Sequence, residues 1–313
     1  MVDSKHKWKA WLYLSPALVL LAVFTVYPII NTIRLAFLED YGMMKAINGV
    51  TFEFGFGNFE KVVEYRNFLT CLKNTVLLCV LTVPISTILA LLIAVTLNSI
   101  GPLRRFLQTI YFLPYVTNSI AIGMVFAAMF NIVGNVSAEP PLITTAGIIN
   151  NFLGVFGVEP INWINVGSSY WANMTVMIIY IVWNALPFKI LILLGGLQSI
   201  NKQYYDAAKV DGTSRGRTLW KITVPLLSPM LAYVVITGFM GGFKEYSSVV
   251  GIFGETMGPP GNEGAMNTIV GFIYMSLEGQ HQGRASAAAI ILFAIIMAVT
   301  LINLQVSKKK VHY

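Results

Sequence analysis

The chain has 313 residues, of which 56% are hydrophobic and 11% charged, with a formal net charge of +7. Its mean hydropathy is +0.69. A soluble domain carries about 25% charged residues, so this composition excludes a water-soluble globule and makes lipid the solvent. The basic balance does not point to nucleic acid, because the cations are scattered over separate loops instead of forming one stripe.

Six apolar stretches are long enough to cross a bilayer core: residues 11–37, 72–98, 106–133, 170–197, 226–250 and 284–306. In lipid the backbone must satisfy its own hydrogen bonds, so each is expected to be a helix. The alternating strands of a β-barrel are absent from the pattern. The reading is an all-α membrane protein, one domain over residues 1–313 with six transmembrane helices.

In chain order, Lys5, Lys7 and Lys9 precede an apolar run that looks at first like a signal peptide. The run is too long and no small-x-small cleavage site follows it, so an uncleaved anchor is expected. Residues 38–71 form a glycine-containing loop. Cys71 and Cys79 share one helix and stand ~12 Å apart by helical rise, too far for a disulfide; packing is their expected role. Pro28, Pro84, Pro114 and Pro187 fall inside spans and favour kinks, as in a bundle curving round a cavity. Residues 134–169, with Pro140 and Pro141, form a second long loop. There Ile148, Ile149, Phe152, Leu153 and Phe156 recur at helical spacing, which suggests an interfacial amphipathic helix, for packing or for docking an external partner.

Charge orients the spans. The N-terminus, residues 99–105, residues 198–225 and the C-terminus carry a large excess of Lys and Arg, so both termini are expected in the cytoplasm. Trp8, Trp11 and Trp220 then fall at the inner boundary and Trp163 and Trp171 at the outer one, as interfacial rings prefer. Catalytic signals are missing. No GxxxxGK[ST] loop occurs, and His6, His281 and His312 show no metal-ligand spacing with cysteine. No Ser-His-acid set suggests itself. No catalytic residue and no metal site are assigned.

The most specific segment is cytoplasmic. Residues 203–210 read as a short helix on which Ala207 and Ala208 leave room for a partner's surface. Asp206 stands near its first turn, where the helix dipole favours an acid. Gly212 permits a turn. Ser214 can cap the next helix, whose Arg215, Arg217 and Lys221 lie at lipid headgroups.

Asp206-Ala207-Ala208, with Gly212 and then Ile222-Thr223-Val224-Pro225 at fixed distances, resembles the EAA loop of ABC-importer permeases. Asp206 replaces the usual Glu and Val224 the usual Leu. Further stretches are similar to the sugar-type permeases: Gly101-Pro102-Leu103-Arg104-Arg105-Phe106 running into Tyr111-Phe112-Leu113-Pro114, residues 147–163, and residues 253–261. Gly283-Arg284-Ala285-Ser286-Ala287 resembles their Gly-Tyr-Ala-Ser-Ala. The chain thus looks like a permease of the carbohydrate-uptake class 1, the maltose/multiple-sugar/glycerol-phosphate type.

That resemblance implies the type I ABC importer permease fold in a prokaryotic cytoplasmic membrane. It implies a second permease subunit, usually a different homologous chain, and two cytoplasmic ATPases. An extracytoplasmic solute-binding protein delivers the sugar. ATP and Mg are bound by the partner ATPases and no cofactor by this chain. Asp206, Ala207, Ala208, Asp211 and Gly212 become the ATPase-coupling residues.

Substrate contacts are sought among polar groups in spans, which are costly unless they serve a purpose. Lys244 and Glu245 lie ~27 Å along the fifth span; they either snorkel to the outer interface or line a cavity. Asn118, Asn173, Asn184, Lys189 and Tyr246 are further candidates. Trp183 either packs against a neighbouring helix or stacks on a sugar ring. A permease for a non-sugar solute using the same loop, and an ion-driven secondary transporter, are the alternatives.

Overall fold

A computed structural model describes residues 7–100, 104–135 and 142–310. Lys5, His6, Gly101, Pro102, Leu103, Pro140, Pro141 and His312 lie outside them. The chain is mostly helical and forms two compact units, Met1–Phe68 with Phe272–Phe293, and Leu69–Gly271 with Ala294–Tyr313.

In the first unit, α1 (Lys7–Leu21) passes through a π-helical turn, Ala22–Val26, into α2 (Tyr27–Phe37). Pro28 brings no N–H to the ladder. The ladder widens just before it, Tyr27 donating to Ala22 O, and the apolar helix Trp8–Phe37 stays continuous over 30 residues. The loop beyond holds α3 (Met43–Ile47) and α4 (Gly57–Glu64). Asn58, buried, ties it down: its amide donates to Ala36 O (3.0 Å) and Leu38 O (2.7 Å). Phe37 adds a stack on Phe54 at 5.3 Å and an edge contact with Phe56 at 5.3 Å.

The chain continues with α5 (Phe68–Ser99), which stays one helix over 32 residues despite Pro84. The expected span 106–133 is not one helix. It divides into α6 (Arg104–Val116) and α7 (Ser119–Phe130). The cause is Asn118, whose backbone is extended and whose Oδ1 caps α7 by accepting from Ile120 N (2.9 Å) and Ala121 N (3.3 Å). A short antiparallel pair follows, β1 (Ile132–Asn135) with β2 (Leu142–Ala146), with a register irregularity between Val133 and Gly134. It corrects the all-α expectation; loop residues this apolar can satisfy their backbone by pairing. Then come α8 (Ile148–Gly154), held by Asn150 through Trp163 Nε1 (2.9 Å), and α9 (Tyr170–Ser199), a 30-residue helix through Pro187.

The segment after α9 contains α10 (Lys202–Val210) and α11 (Arg215–Thr218), then a π turn Leu219–Thr223 and α12 (Val224–Leu226). The expected span 226–250 is broken as well. Arg215–Leu226 meets α13 (Ser228–Gly242) at 71°, where Pro225 and Pro229 both withhold donors. After Gly242 the chain leaves helix through Lys244, Glu245 and Tyr246 and resumes as α14 (Ser247–Phe253). Lys244 and Glu245 therefore stand in a break between two helices and not inside one continuous helix. The last helices are α15 (Ile269–Glu278) and α16 (Gln282–Lys310). Among the described residues, four helices are long and apolar enough to cross a membrane, five if the bent pair counts as one span.

The second unit packs round two apolar clusters. One joins Tyr180, Phe130, Met174, Met177 and Val249; the other joins Ala90, Leu91, Leu193, Leu194 and Leu227. Between membrane helices, close van der Waals packing replaces the hydrophobic drive, so small residues mark the crossings. A Cβ on Gly123 of α7 would stand 2.6 Å from Gly251 Cα of α14. Cys71 and Cys79 are buried, free thiols.

Candidate functional site

In the second unit a cavity of about 320 Å³ lies among α5, α6, α9 and α13. α5 supplies Thr82 and Ser86, one turn apart and so on one face, with Thr87 beside them. Each hydroxyl donates back along the helix: Thr82 to Leu78 O (2.7 Å), Ser86 to Thr82 O (2.5 Å), Thr87 to Val83 O (2.7 Å). This leaves their lone pairs free to accept.

Lys189 of α9 uses them. Its buried ammonium donates to Ser86 Oγ (2.7 Å), Thr87 Oγ1 (3.0 Å) and Val83 O (3.2 Å). An ammonium has three donors, and these three neutral acceptors satisfy them all without a carboxylate. The opposite helix makes room: a Cβ on Gly238 of α13 would stand 3.1 Å from Val83 Cγ1 and 3.3 Å from Lys189 Nζ. Gly241 has open space before it. Tyr115 of α6 and Phe188 of α9 stack at 5.8 Å and 17° and give the lining an aromatic face. Hydroxyls, an amide and ring faces can hold a polar neutral solute by hydrogen bonds and apolar contact.

Of the residues chosen from sequence, Asn184 and Glu245 line the cavity, as does Lys189. Asn184 donates to Ser119 Oγ at 3.3 Å, and Ser119 in turn meets Tyr180 OH at 2.9 Å. Glu245 Oε1 accepts from Ser248 N (3.1 Å) at the start of α14. The others lie elsewhere. Asn118 caps α7. Asn173 is buried at the start of α9, donating to Ser169 O at 2.8 Å. Trp183 lies against Phe126 at 5.2 Å beside the Tyr180 cluster, where Tyr246 also packs. Lys244 is exposed. Thr82, Ser86, Thr237 and the Tyr115–Phe188 pair were not singled out from sequence. Three hydroxyls within six residues of an otherwise apolar helix were the available signal for the first two.

The second constellation is the elbow after α9. Asn201 caps α10, its Oδ1 accepting from Gln203 N at 3.0 Å. Because α10 begins at Lys202, Asp206 falls past the first turn, and its partner is Lys209 at 3.3 Å. At the far end Gly212 has φ +65°, with Thr213 N donating to Ala208 O (2.9 Å) and Gly212 N to Lys209 O (3.1 Å). This is the Schellman closure, in which a residue without Cβ takes the left-handed position. Ser214 caps α11 through Arg217 N at 3.4 Å. Ala208 is buried and Ala207 exposed, while Val210 is 88% exposed. Beside α10 runs a groove of about 370 Å³ lined by Tyr204, Ala207, Asp211 and Ile222, among others. Tyr205 OH accepts from Thr223 Oγ1 at 3.3 Å, which fastens α10 to the π turn in the first arm of the bent pair.

Two bilayer-length helices, α5 and α9, flank a polar cavity, and an exposed helical elbow is fastened to a bent helix pair, which is the framework of a multi-pass membrane protein. The chain belongs to the family of binding-protein-dependent transport system inner membrane components, whose model matches residues 82–312. It is 30% identical to the lactose transport system permease protein LacF of Rhizobium radiobacter, over 94% of this chain and 91% of that one. It is 29% identical to the arabinooligosaccharides transport system permease protein AraP of Halalkalibacterium halodurans, over 97% and 89%. Its fold matches a chain from the crystal structure of a bacterial ABC transporter involved in import of the acidic polysaccharide alginate. The TM-score there is 0.77 at 20% identity, covering 97% of this chain and 96% of that one.

Proposed function

We propose that this chain is the membrane-spanning permease subunit of a binding-protein-dependent ABC importer that moves a sugar or oligosaccharide inward, driven by ATP hydrolysis in partner subunits. The observation that carries the reading is the near full-length likeness to the lactose permease protein. The cavity supports it, since a saccharide needs hydroxyl and amide partners and an aromatic face more than net charge.

The subunit has no ATPase site and binds no cofactor; ATP and Mg belong to two cytoplasmic ATPases. A second, homologous permease chain completes the pore, and an extracytoplasmic solute-binding protein delivers the sugar. The whole chain acts as one transmembrane domain of a prokaryotic cytoplasmic membrane. It makes six crossings, with α6–α7 and α13–α14 each counted as one, and both termini are cytoplasmic. Asn184 and Glu245 contact the solute, with Asn118, Asn173, Trp183, Lys244 and Tyr246 as supports. Asp206, Ala207, Ala208, Asp211 and Gly212 seat in the ATPase, and its closure tilts the spans as rigid bodies between two open states.

Ala207 offers the test because it is exposed. In the purified complex, a cysteine in its place (Ala207→Cys) is expected to crosslink to an ATPase subunit, with a yield that changes on adding ATP. Crosslinks that reach only lipid or other permease residues would remove the coupling role.

A further inference from the structure

The first unit contains a cavity of about 220 Å³ lined by Asp40, Tyr41, Asn58, Lys61, His281 and Arg284. None of these residues lines the cavity round Asn184. Asp40 has φ +53°, a conformation that Asp tolerates better than most side chains. Asn58 Oδ1 secures it by accepting its N–H at 3.2 Å.

The charges here do not balance. Lys61 already holds the Asp40 carboxylate at 2.5 Å. Lys45 donates to Asp40 O at 3.4 Å and acts electrostatically on both Asp40 and His281. Arg284 has no acid among the described residues. Its guanidinium lies over the rings of Tyr65 (5.0 Å) and Phe272 (5.9 Å), and its Nε–H is buried without an acceptor. Ring faces stabilise the cation but leave that donor unused. Three cations thus meet one carboxylate.

The titrating groups report the same field. The Lys61 hydrogen bond holds Asp40 below the usual carboxylate range. Burial pushes the His281 imidazole below its ordinary value, and Arg284, Lys45 and Lys61 add to this against Asp40.

We infer that this cavity binds a carboxylate, seated against Arg284 and Lys61. The guanidinium fork matches a carboxylate in geometry as well as in charge. The group comes either from a small organic acid in the external medium or from an acidic side chain of the docking solute-binding protein.

His281 is the reporter. The sequence holds three histidines, so a histidine-labelled full chain in lipid nanodiscs gives few imidazole resonances, and His281→Gln assigns the one needed. The His281 titration is followed in succinate and in chloride at equal ionic strength. Succinate is expected to raise the midpoint in the wild-type chain, because a bound anion offsets the cations. Arg284→Gln should abolish the succinate effect and Arg284→Lys should keep part of it. If succinate has no effect but the added solute-binding protein raises the midpoint, the carboxylate is the partner's; this arm alone rests on the importer reading. A midpoint unmoved by either, or moved equally by succinate in Arg284→Gln, overturns the site. The wild-type comparison stands even if a variant fails to fold, and no outcome with succinate bears on the importer reading.

Discussion

At the elbow the charged side chains face solvent and the closing turn is specified by the backbone: the left-handed Gly212 and the paired carbonyls of Ala208 and Lys209. In the cavity wall the backbone is plain helix, and the specificity lies in side chains that complete one another, Lys189 against Ser86 and Thr87. An exposed charge needs no fixed partner because water serves. A charge among apolar helices must find every acceptor inside the protein.

The sharpest way to break the contrast is at Gly212. Gly212→Val places a β-branched residue in the left-handed region, costing the turn ~1–2 kcal/mol, and is expected to abolish sugar uptake with the chain still in the membrane. Uptake assays with immunoblots of membrane fractions read this; transport at the wild-type rate would mean that the turn geometry is idle.

The cavity wall should behave asymmetrically. Ser86→Ala strips an acceptor from a buried ammonium and is expected to cost ~1–3 kcal/mol. Lys189→Met removes the charge instead. The hydroxyls keep their own bonds to the helix carbonyls, so the loss should stay within ~1 kcal/mol. Thermal unfolding of the purified variants compares the two, and a larger loss in Lys189→Met than in Ser86→Ala contradicts the account.

The smallest effect is expected for Asp206→Asn. The Asp206–Lys209 pair is exposed on both sides, and its loss should change stability by less than ~0.5 kcal/mol in the same unfolding assay.

The same contrast explains what could be read in advance. Turn chemistry is local, so Gly212 and the Ser214 cap were visible from their neighbours alone. Helix rotation is not local. Asn184 and Asn173 lie on one apolar helix, yet the first lines a cavity and the second is buried at the helix start, because tertiary packing decides which face turns inward. The break at Asn118 was hidden for a related reason: apolar residues on both sides masked a capping side chain as part of a span. The bend at Leu227 had a signal in Pro225 and Pro229, but its size depends on how α13 packs.

The two native thiols have a practical consequence. Cys71 and Cys79 are each 0% exposed, so maleimide reagents should ignore the unaltered chain. Single reactive handles can then be introduced anywhere on the surface without first stripping the natural sulfur atoms, and their distances followed through a transport cycle in an otherwise native protein.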